Sequence, residues 1–302
     1  MVRAARPHEQ RFDPWACLPL LSVHLLCATA LLTGASATAL AVCCTLVIVR
    51  LFGVTAGYHR LLAHRAFRCG RPVQFTLAWL GASAAQLGPL WWTAHHRVHH
   101  RHADREGDPH SPHVRSLWWA HIGWLLCRIH ARAPLEAVPD LLRVPELVWL
   151  ERFHWVAPLS LAAALYAAGE ALAAWAPALR VTGPQLLVWG FCISTVVLYH
   201  LSLAVASFGH HFGARRYALP DESRNLPWLA WLTLGDGWHN NHHARPRWAR
   251  HGHVRGEIDV TWLVLRGLSR LGLVWDLRGP QAALAAPVPP GGEYAGAGAQ
   301  RT

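Results

Sequence analysis

Apolar residues occur along the chain in four long runs, which short turn-forming segments join in pairs. Each run is close to the ~20 consecutive apolar residues that a helix needs to cross a bilayer. Gly34, Ala35 and Ser36 connect the first two runs, and Pro177 to Pro184 connect the last two. We therefore predict an all-α integral membrane fold, with four transmembrane helices in two hairpins at residues 15–33, 38–58, 155–175 and 185–206.

The polar parts of the chain lie between and after these hairpins. Residues 65–153 form one long polar insertion, in which the moderately apolar stretch 73–90 predicts a helix at the membrane interface. Residues 207–278 form a second polar segment, and residues 258–273 within it repeat apolar positions at a helical period. We expect the two segments to form a helical cap on one side of the membrane.

The two ends of the chain differ from the rest in composition. Residues 1–14 are a short basic arm. Residues 279–302 are Pro, Gly and Ala in a low-complexity order that is typical of disorder. The predicted domain therefore covers residues 15–278.

Composition and charge narrow the class of protein. Hydrophobic residues make up 53% of the chain and charged residues 15%, which favours a membrane protein. The net charge of +11 comes without any helix-turn-helix, zinc-finger or basic-zipper pattern, so we exclude nucleic acid and expect a membrane surface or anionic partners. Arginines flank the hairpins on the side away from both turns. By the positive-inside rule, we expect both termini and the cap on the cytoplasmic side of a bacterial inner membrane.

Histidines form three short clusters in the predicted cap. His96, His99 and His100 have the spacing i, i+3, i+4, which places three imidazoles on one face of a helix. The same spacing recurs near the C-terminus, and a histidine pair precedes both clusters, so the set comprises His59, His64, His96, His99, His100, His239, His242 and His243. Eight imidazoles are too many for one metal ion and suit two.

The residues alone do not identify the metal, because imidazole binds Fe, Zn, Cu and Ni. Soluble di-iron bundles use two E-x-x-H motifs, and this chain has one, from Glu151 to His154. It has no H-E-x-x-H motif of a metalloprotease. Isolated histidines such as His24, His121 and His200 are expected to be structural or interfacial.

The order and spacing of the three clusters resemble the histidine boxes of the membrane fatty acid desaturase superfamily. The segments Trp91 to Pro112, Asp221 to Asn225 and Gly237 to His243 are similar to those of bacterial, cyanobacterial and plant delta-9 acyl-CoA or acyl-lipid desaturases. The resemblance covers roughly residues 15–278, and three boxes in the right order between two apolar hairpins make it specific.

The resemblance implies a non-haem di-iron centre with nine histidine ligands, fed by O2 and two external electrons. The eight histidines above match the family's boxes, and the ninth ligand falls in the segment Ala206 to His210, where we assign His210 rather than His211. The family has an asparagine that holds a metal-bound water at the position of Ala206. This departure implies that the water site is altered or that His211 or another group compensates.

The resemblance also implies the reaction and its partners. An acyl chain on CoA, a carrier protein or a glycerolipid would enter a tunnel and receive a cis double bond, with delta-9 as the expected position. Gln86, Trp92 and Trp238 are candidates to line that tunnel or to pack in the core, and Asp104 and Asp108 are candidates to orient ligating imidazoles or to form loop salt bridges. The electron donor would be a separate protein, such as ferredoxin or a b-type cytochrome.

Two other functions stay open at this point. A fatty acid, alkane or carotenoid hydroxylase or ketolase would use the same boxes and differ in whether oxygen enters the product. A metal-binding or transport protein without oxidative chemistry would place polar residues through its spans. The predicted spans are nearly free of charge, which favours the enzyme.

Overall fold

The computed structural model describes residues 12–279, so the predicted basic arm up to residue 11 and the predicted tail from residue 280 lie outside the described residues. The described part is mostly helical and contains a two-stranded antiparallel sheet that pairs Arg68–Cys69 (β1) with Val274–Trp275 (β2). Its α-helices are α1 (Pro14–Cys27), α2 (Ala30–Thr33), α3 (Ala37–Phe52), α4 (Arg71–Ser83), α5 (Pro89–His102), α6 (Leu117–His121), α7 (Pro145–Arg152), α8 (Val156–Trp175), α9 (Gly183–Leu186), α10 (Ser194–Ser207), α11 (Pro227–Leu232), α12 (His239–Ala244) and α13 (Val260–Arg270).

Several helices are extended or linked by other helical geometries. A π-helical segment, Gly53–Ala63, continues α3, and a second one, Leu187–Ile193, joins α9 to α10. Short 3₁₀ turns occupy Gly123–Leu126, Arg128–His130, Leu135–Ala137, Leu141–Arg143, Pro177–Leu179 and Phe208–His210.

Three continuous helices in the described part are long and apolar enough to cross a membrane, which identifies a membrane protein. They are Ala37–Ala63, Val156–Trp175 and Gly183–His210. They correspond to the second, third and fourth predicted runs, and the first and third of them extend further toward the cap than the apolar pattern predicts.

The transmembrane helix that we predict for the first run, at residues 15–33, is not confirmed. The arrangement of four spans in two hairpins is therefore not confirmed either. Residues 17–33 are apolar, but they fall short of the length of a spanning helix and divide into α1 and α2. The backbone N–H groups of Ala28 and Thr29 donate to the carbonyls of Leu25 and Leu26, three residues back instead of four. The α-helical hydrogen-bond pattern is therefore interrupted between α1 and α2.

Close packing of the π-helical segment against α4 fixes the floor of the cap. A Cβ added to Gly53 would lie 2.5 Å from the backbone of Leu80 and Gly81, and one added to Gly57 would lie 2.6 Å from the carbonyl oxygen of Leu77. Only glycine permits this approach of the two backbones. The position of the first histidine box thus depends on two residues that carry no side chain.

The N-terminus of α5 is fixed by a side chain from α7. The carboxylate of Glu151 accepts from the backbone N–H groups of Leu90 and Trp91, at 2.9 and 3.1 Å, which satisfies two of the unpaired donors of the first turn. Burial raises the pKa of Glu151. The single E-x-x-H motif therefore contributes a helix cap.

A buried arginine joins three helices within the membrane-spanning region. The Arg50 side chain of α3 donates to the carbonyl of Ser83 at the end of α4 and to the hydroxyls of Ser194 and Thr195 in α10. Its side chain is 1% exposed. These contacts hold the three helix segments together below the cap.

Candidate metal centre

The structure brings all nine histidines that we predict as ligands into one buried region of the cap. They form two neighbouring groups, and within each group one nitrogen per imidazole lies within 4.8 Å of the others. The five-histidine group contains His59, His64, His96, His100 and His242, and the four-histidine group contains His99, His210, His239 and His243. The groups touch, because the rings of His100 and His243 stack with their centroids 4.3 Å apart.

The π-helical segment explains how the first box reaches one point. Residues separated by five positions lie about 140° apart around an α-helix, so His59 and His64 would face different directions. A π-helix bonds residue i to residue i+5 and brings such positions to the same side. The backbone N–H of His64 accordingly donates to the carbonyl of His59, and the two rings lie 5.0 Å apart.

The second and third boxes each divide between the two groups. His96 and His100 of α5, four residues apart, belong to the five-histidine group, whereas His99 belongs to the other. In α12 the residues four apart, His239 and His243, belong to the four-histidine group, whereas the histidine between them belongs to the five-histidine group. Residues at i and i+4 lie above each other on a helix, while an intervening residue points to the side. Each helix therefore serves both groups.

The ninth histidine lies in the 3₁₀ turn that ends the last span. His210 is buried in the four-histidine group, whereas His211 is exposed on the surface. Ala206, which occupies the position of the family's asparagine, lines a cavity that also reaches His239. The exposed position of His211 gives it no contact with either group.

Four carboxylates accept hydrogen bonds from the outer nitrogens of these imidazoles. In the four-histidine group, three imidazoles donate through Nδ1: His99 to Asp108 at 3.0 Å, His210 to Asp104 at 2.6 Å and His243 to Asp221 at 3.2 Å. In the five-histidine group, His59 donates through Nδ1 to Asp236 at 2.9 Å. Such partners fix the orientation of a ligating imidazole and increase its basicity.

Two of these carboxylates are the pair that we predict, and the other two were not predicted. Asp104 and Asp108 follow the second box directly, so nearness in sequence indicates them. Asp221 is 22 positions from His243, and Asp236 is 177 positions from His59. Asp221 begins one of the segments that resemble the family, and Asp236 directly precedes another, which is the signal that could have found them.

A buried arginine of the first box supports Asp236. Arg60 is fully buried and donates to Asp236 at 2.9 Å and to Asp259 at 2.9 Å. His251 also lies 3.2 Å from Asp236. Asp259 pairs with the same arginine, but its other hydrogen bonds go to backbone N–H groups, including that of His251, and to none of the nine histidines.

The tautomers set by these carboxylates direct lone pairs toward the centre of each group. When Nδ1 of a neutral imidazole carries the proton, Nε2 carries a lone pair. In the four-histidine group, the Nε2 atoms of His210 and His243 lie 3.0 and 3.1 Å from Nε2 of His239. The carboxylates set this tautomer for His210 and His243, whereas Nδ1 of His239 is buried without a hydrogen-bond partner among the described residues. A cation between the three Nε2 atoms would accept a lone pair from each of them.

The distances between nitrogens also fit metal coordination. In the five-histidine group, Nε2 of His242 lies 3.0 Å from Nε2 of both His59 and His100, and the Nε2 atoms of His64 and His96 are 2.8 Å apart. Two nitrogens bound ~2.1 Å from one ion at roughly a right angle lie about 3.0 Å apart. The residues present therefore fit two metal ions.

Burial keeps most of these imidazoles in the neutral form that binds metal. Desolvation lowers the pKa well below the ordinary histidine value, and neighbouring imidazoles lower it further, for His64, His96, His100, His239, His242 and His243. Burial would raise the pKa of Asp104, Asp108 and Asp236, but the facing imidazoles hold each pKa below its ordinary value.

A largely apolar cavity of about 380 Å³ leads to both histidine groups. His59, His96, His99 and His239 form part of its wall. Gln86 and Trp92, two of the predicted tunnel residues, also line it, and the indole N–H of Trp92 donates to the amide oxygen of Gln86 at 3.1 Å.

Trp238, the third predicted tunnel residue, does not line this cavity. It is buried, and its indole N–H donates to the carbonyl of Ile258 at 2.9 Å. The side chain thus packs beside the third box and joins it to the chain before α13.

Comparison with known proteins agrees with this arrangement. A sequence model of the family described as fatty acid desaturase matches residues 35–256. The sn-1 stearoyl-lipid 9-desaturase of Anabaena variabilis is 36% identical over 75% of this chain and 78% of the relative. The palmitoyl-monogalactosyldiacylglycerol delta-7 desaturase of Arabidopsis thaliana is 36% identical over 78% of this chain and 61% of the relative. The acyl-CoA C20 delta5-desaturase of Anemone leveillei is 36% identical over 77% of this chain and 71% of the relative.

The family model covers most of the chain and contains all three histidine boxes. The resemblance predicted from the boxes is therefore confirmed. This chain belongs to the fatty acid desaturase family and is an acyl desaturase, an oxidoreductase.

Proposed function

We propose that the two histidine groups hold a non-haem di-iron centre and that the enzyme uses it to introduce a cis double bond, at the delta-9 position, into a saturated acyl chain. The convergence of unprotonated imidazole nitrogens at the wall of an apolar cavity supports this proposal most strongly. The five-histidine group would hold one iron and the four-histidine group the other.

The overall reaction sets what the protein must supply. One saturated acyl chain, one O2, two electrons and two protons give one unsaturated chain and two molecules of water. When bound, the irons supply the redox chemistry that cleaves O2 and removes hydrogen from two adjacent carbons. An external electron carrier, such as ferredoxin or a b-type cytochrome, would supply the two electrons.

The protein's own residues position the chain and keep the site dry. Leu51 and Val54 from the second predicted run, together with Leu203 from α10, line the cavity and exclude water from the acyl chain. The amide oxygen of Gln86 is fixed by Trp92 and by the hydroxyl of Ser202, at 3.1 and 3.2 Å. A chain confined between these walls would present one pair of methylenes to the histidine groups.

The domain that carries this function is proposed to cover residues 15–278, beyond the matched range 35–256. Trp15 lines the cavity, and Arg278 exchanges backbone hydrogen bonds with Ala66 and Ala249. Both ends therefore contact the parts that form the site.

In the proposed orientation, the cap and both termini lie on the cytoplasmic side of a bacterial inner membrane. The arginine-rich segments around the boxes support it by the positive-inside rule. Cysteines introduced one at a time at Arg105 in the cap and at Arg180 in the turn before α9, in a variant whose seven native cysteines are replaced, would test it by labelling from outside intact cells. We expect label at residue 180 only.

The test of function is fatty acid profiling of a desaturase-deficient host that expresses this chain. We expect a new cis-monounsaturated fatty acid whose double bond mass spectrometry locates at carbon nine. An oxygenated fatty acid would instead support the hydroxylase or ketolase, and a double bond at another carbon would refute the delta-9 position.

Two adjacent histidines provide a matched pair of variants for that experiment. His210→Ala removes a buried imidazole of the four-histidine group, whereas His211→Ala removes an exposed one. We expect the first to abolish the product and to lower bound iron, and the second to retain both. Equal activity in the two variants would contradict the proposed ligand set.

A further inference from the structure

The cavity that reaches the histidine groups has exposed lining residues near the start of α1 and near residue 131. Three of its lining residues are exposed, and the remainder of the lining is buried or half-buried. These exposed residues are Trp15 and Pro19 in the first turns of α1 and Ala131 after the 3₁₀ turn Arg128–His130. The opening therefore lies between the start of α1 and the segment 124–131, which we call the mouth.

The two sides of the mouth are fastened to each other at one end. The backbone N–H of Asp13 donates to the carbonyl of Leu126 at 2.7 Å, and Phe12 pairs with Cys127 in an isolated antiparallel bridge. The carboxylate of Asp13 accepts from the backbone N–H of Trp15 and so caps α1. The geometry of the opening is thus built by backbone contacts and does not depend on a loose segment.

The surface around the mouth is apolar on the side of α1. Trp15 is 80% exposed, Leu18 55% and Leu21 57%. Phe12 and Trp118, both more than half exposed, meet edge to face with ring centroids 6.0 Å apart. A contiguous apolar surface of this kind is stable in lipid, and exposed aromatic rings are typical of the membrane–water interface. The mouth therefore opens sideways into the bilayer at the level of the lipid headgroups.

The opposite side of the mouth carries positive charge. Arg128 and Arg132 are exposed and flank the mouth residue Ala131 by three positions and one position. Guanidinium groups bind phosphate oxygens with paired hydrogen bonds. Two arginines beside an apolar opening suit a group that combines one phosphodiester with long acyl chains.

We propose that this enzyme takes its acyl chain from a glycerophospholipid of the surrounding leaflet, through the mouth, while Arg128 and Arg132 hold the lipid phosphate. The inference rests on the proposed desaturase function and specifies its substrate class. The relatives include enzymes named for both lipid-linked and CoA-linked substrates, so the comparisons do not decide between these carriers.

The environment of the mouth disfavours a CoA thioester. The CoA moiety carries several phosphate charges and a nucleotide, and it needs water and several cations around it. The exposed cations that flank the mouth are Arg128 and Arg132, which match one phosphodiester, and the α1 surface beside them is apolar. A phospholipid is already in the bilayer, so its acyl chain can enter the mouth without transfer of a charged carrier across this apolar surface.

The test supplies the same acyl group on different carriers to the iron-loaded enzyme in nanodiscs. One sample contains phosphatidylcholine with deuterated stearoyl chains. The others contain an ether-linked lipid that cannot be desaturated, with deuterated stearoyl-CoA or deuterated stearic acid added. An electron donor system and O2 are present in all, and mass spectrometry follows the labelled double bond.

We expect the labelled double bond to form in the phosphatidylcholine sample at a rate at least tenfold higher than in either other sample. Faster desaturation of stearoyl-CoA or of free stearic acid would overturn the proposal and leave the desaturase function intact. No double bond from any carrier would refute the desaturase function and this proposal with it.

Charge variants test the role of the arginines at the mouth. Arg128→Gln and Arg132→Gln are each expected to raise the KM for phosphatidylcholine by roughly fivefold, with little change in kcat, because each removes one cation at the lipid surface. Arg143→Gln removes an exposed arginine away from the cavity and serves as the control. An equal rise in KM for all three variants, or no rise in any, would overturn the assignment of the phosphate site.

Discussion

Asp236→Asn is expected to weaken metal binding in the five-histidine group while the fold is retained. One oxygen of the Asp236 carboxylate accepts from Nδ1 of His59, and the other accepts from Arg60, each at 2.9 Å. An amide has one acceptor oxygen, so its NH2 group would face one of these two donors. The histidine would lose the partner that fixes its tautomer, or the buried arginine would lose part of its compensation.

The magnitude follows from how the carboxylates are distributed. Among the described residues, three of the four histidines in one group donate to a carboxylate, whereas only His59 does so in the five-histidine group. Loss of such a partner lowers metal affinity by roughly 10- to 100-fold, which is about 1.4–2.8 kcal/mol. We expect the upper part of this range, because no second carboxylate in residues 12–279 accepts a hydrogen bond from the five-histidine group.

The assay is a chelator titration of the purified, iron-loaded protein, with retained iron measured by elemental mass spectrometry. Asp259→Asn is the matched control, since it also removes a carboxylate from Arg60 but one that touches none of the nine histidines. We expect Asp236→Asn to release the iron of the five-histidine group, about half of the total, at a chelator concentration 10- to 100-fold lower than the control needs. Iron release at the same chelator concentration in both variants and the wild type would refute the reasoning, and thermal unfolding would show whether both variants are folded.

Three further changes test other parts of the structure. Glu151→Ala removes the cap of α5 and is expected to cost about 1–2 kcal/mol of stability, seen as a lower melting temperature, whereas Glu146→Ala breaks an exposed ion pair and should have little effect. Ala206→Asn places an amide at the cavity wall, so we expect turnover and the iron absorption spectrum to change, and no change in either would contradict a role for this position. His253 is buried, and desolvation lowers its pKa to about 3, so the unfolded chain takes up a proton below pH ~6.5 that the folded chain does not, and stability falls as the pH falls, by about 2 kcal/mol at pH 5. His253→Gln should therefore lose less in melting temperature between pH 7.5 and pH 5 than the wild type does, and an identical pH dependence would count against this origin.

Much of the helical architecture could be predicted because membrane insertion depends on local composition. Three of the four apolar runs form helices long enough to span the bilayer. The span predicted for the first run is not confirmed, and an average over residues 15–33 does not register the change in backbone hydrogen bonding at Ala28 and Thr29 that divides it. An apolar run must be long enough to span the bilayer, and the local backbone conformation decides whether it forms one continuous helix.

The sequence by itself determined which histidines meet, because their repeated helical spacing and the resemblance to a family identify them as ligands of a shared metal centre. The division into two groups, by contrast, depends on the directions of helices that lie far apart in the chain. The pairing of His59 with His64 requires a π-helical segment, and Gly53 and Gly57 let that segment lie against α4. The hydrogen bonds of Asp221 and Asp236 to the histidines likewise form only after distant segments pack together. The same holds for the mouth between α1 and residues 124–131. Spacing along a chain fixes relations within one helix, whereas distances between helices follow from packing.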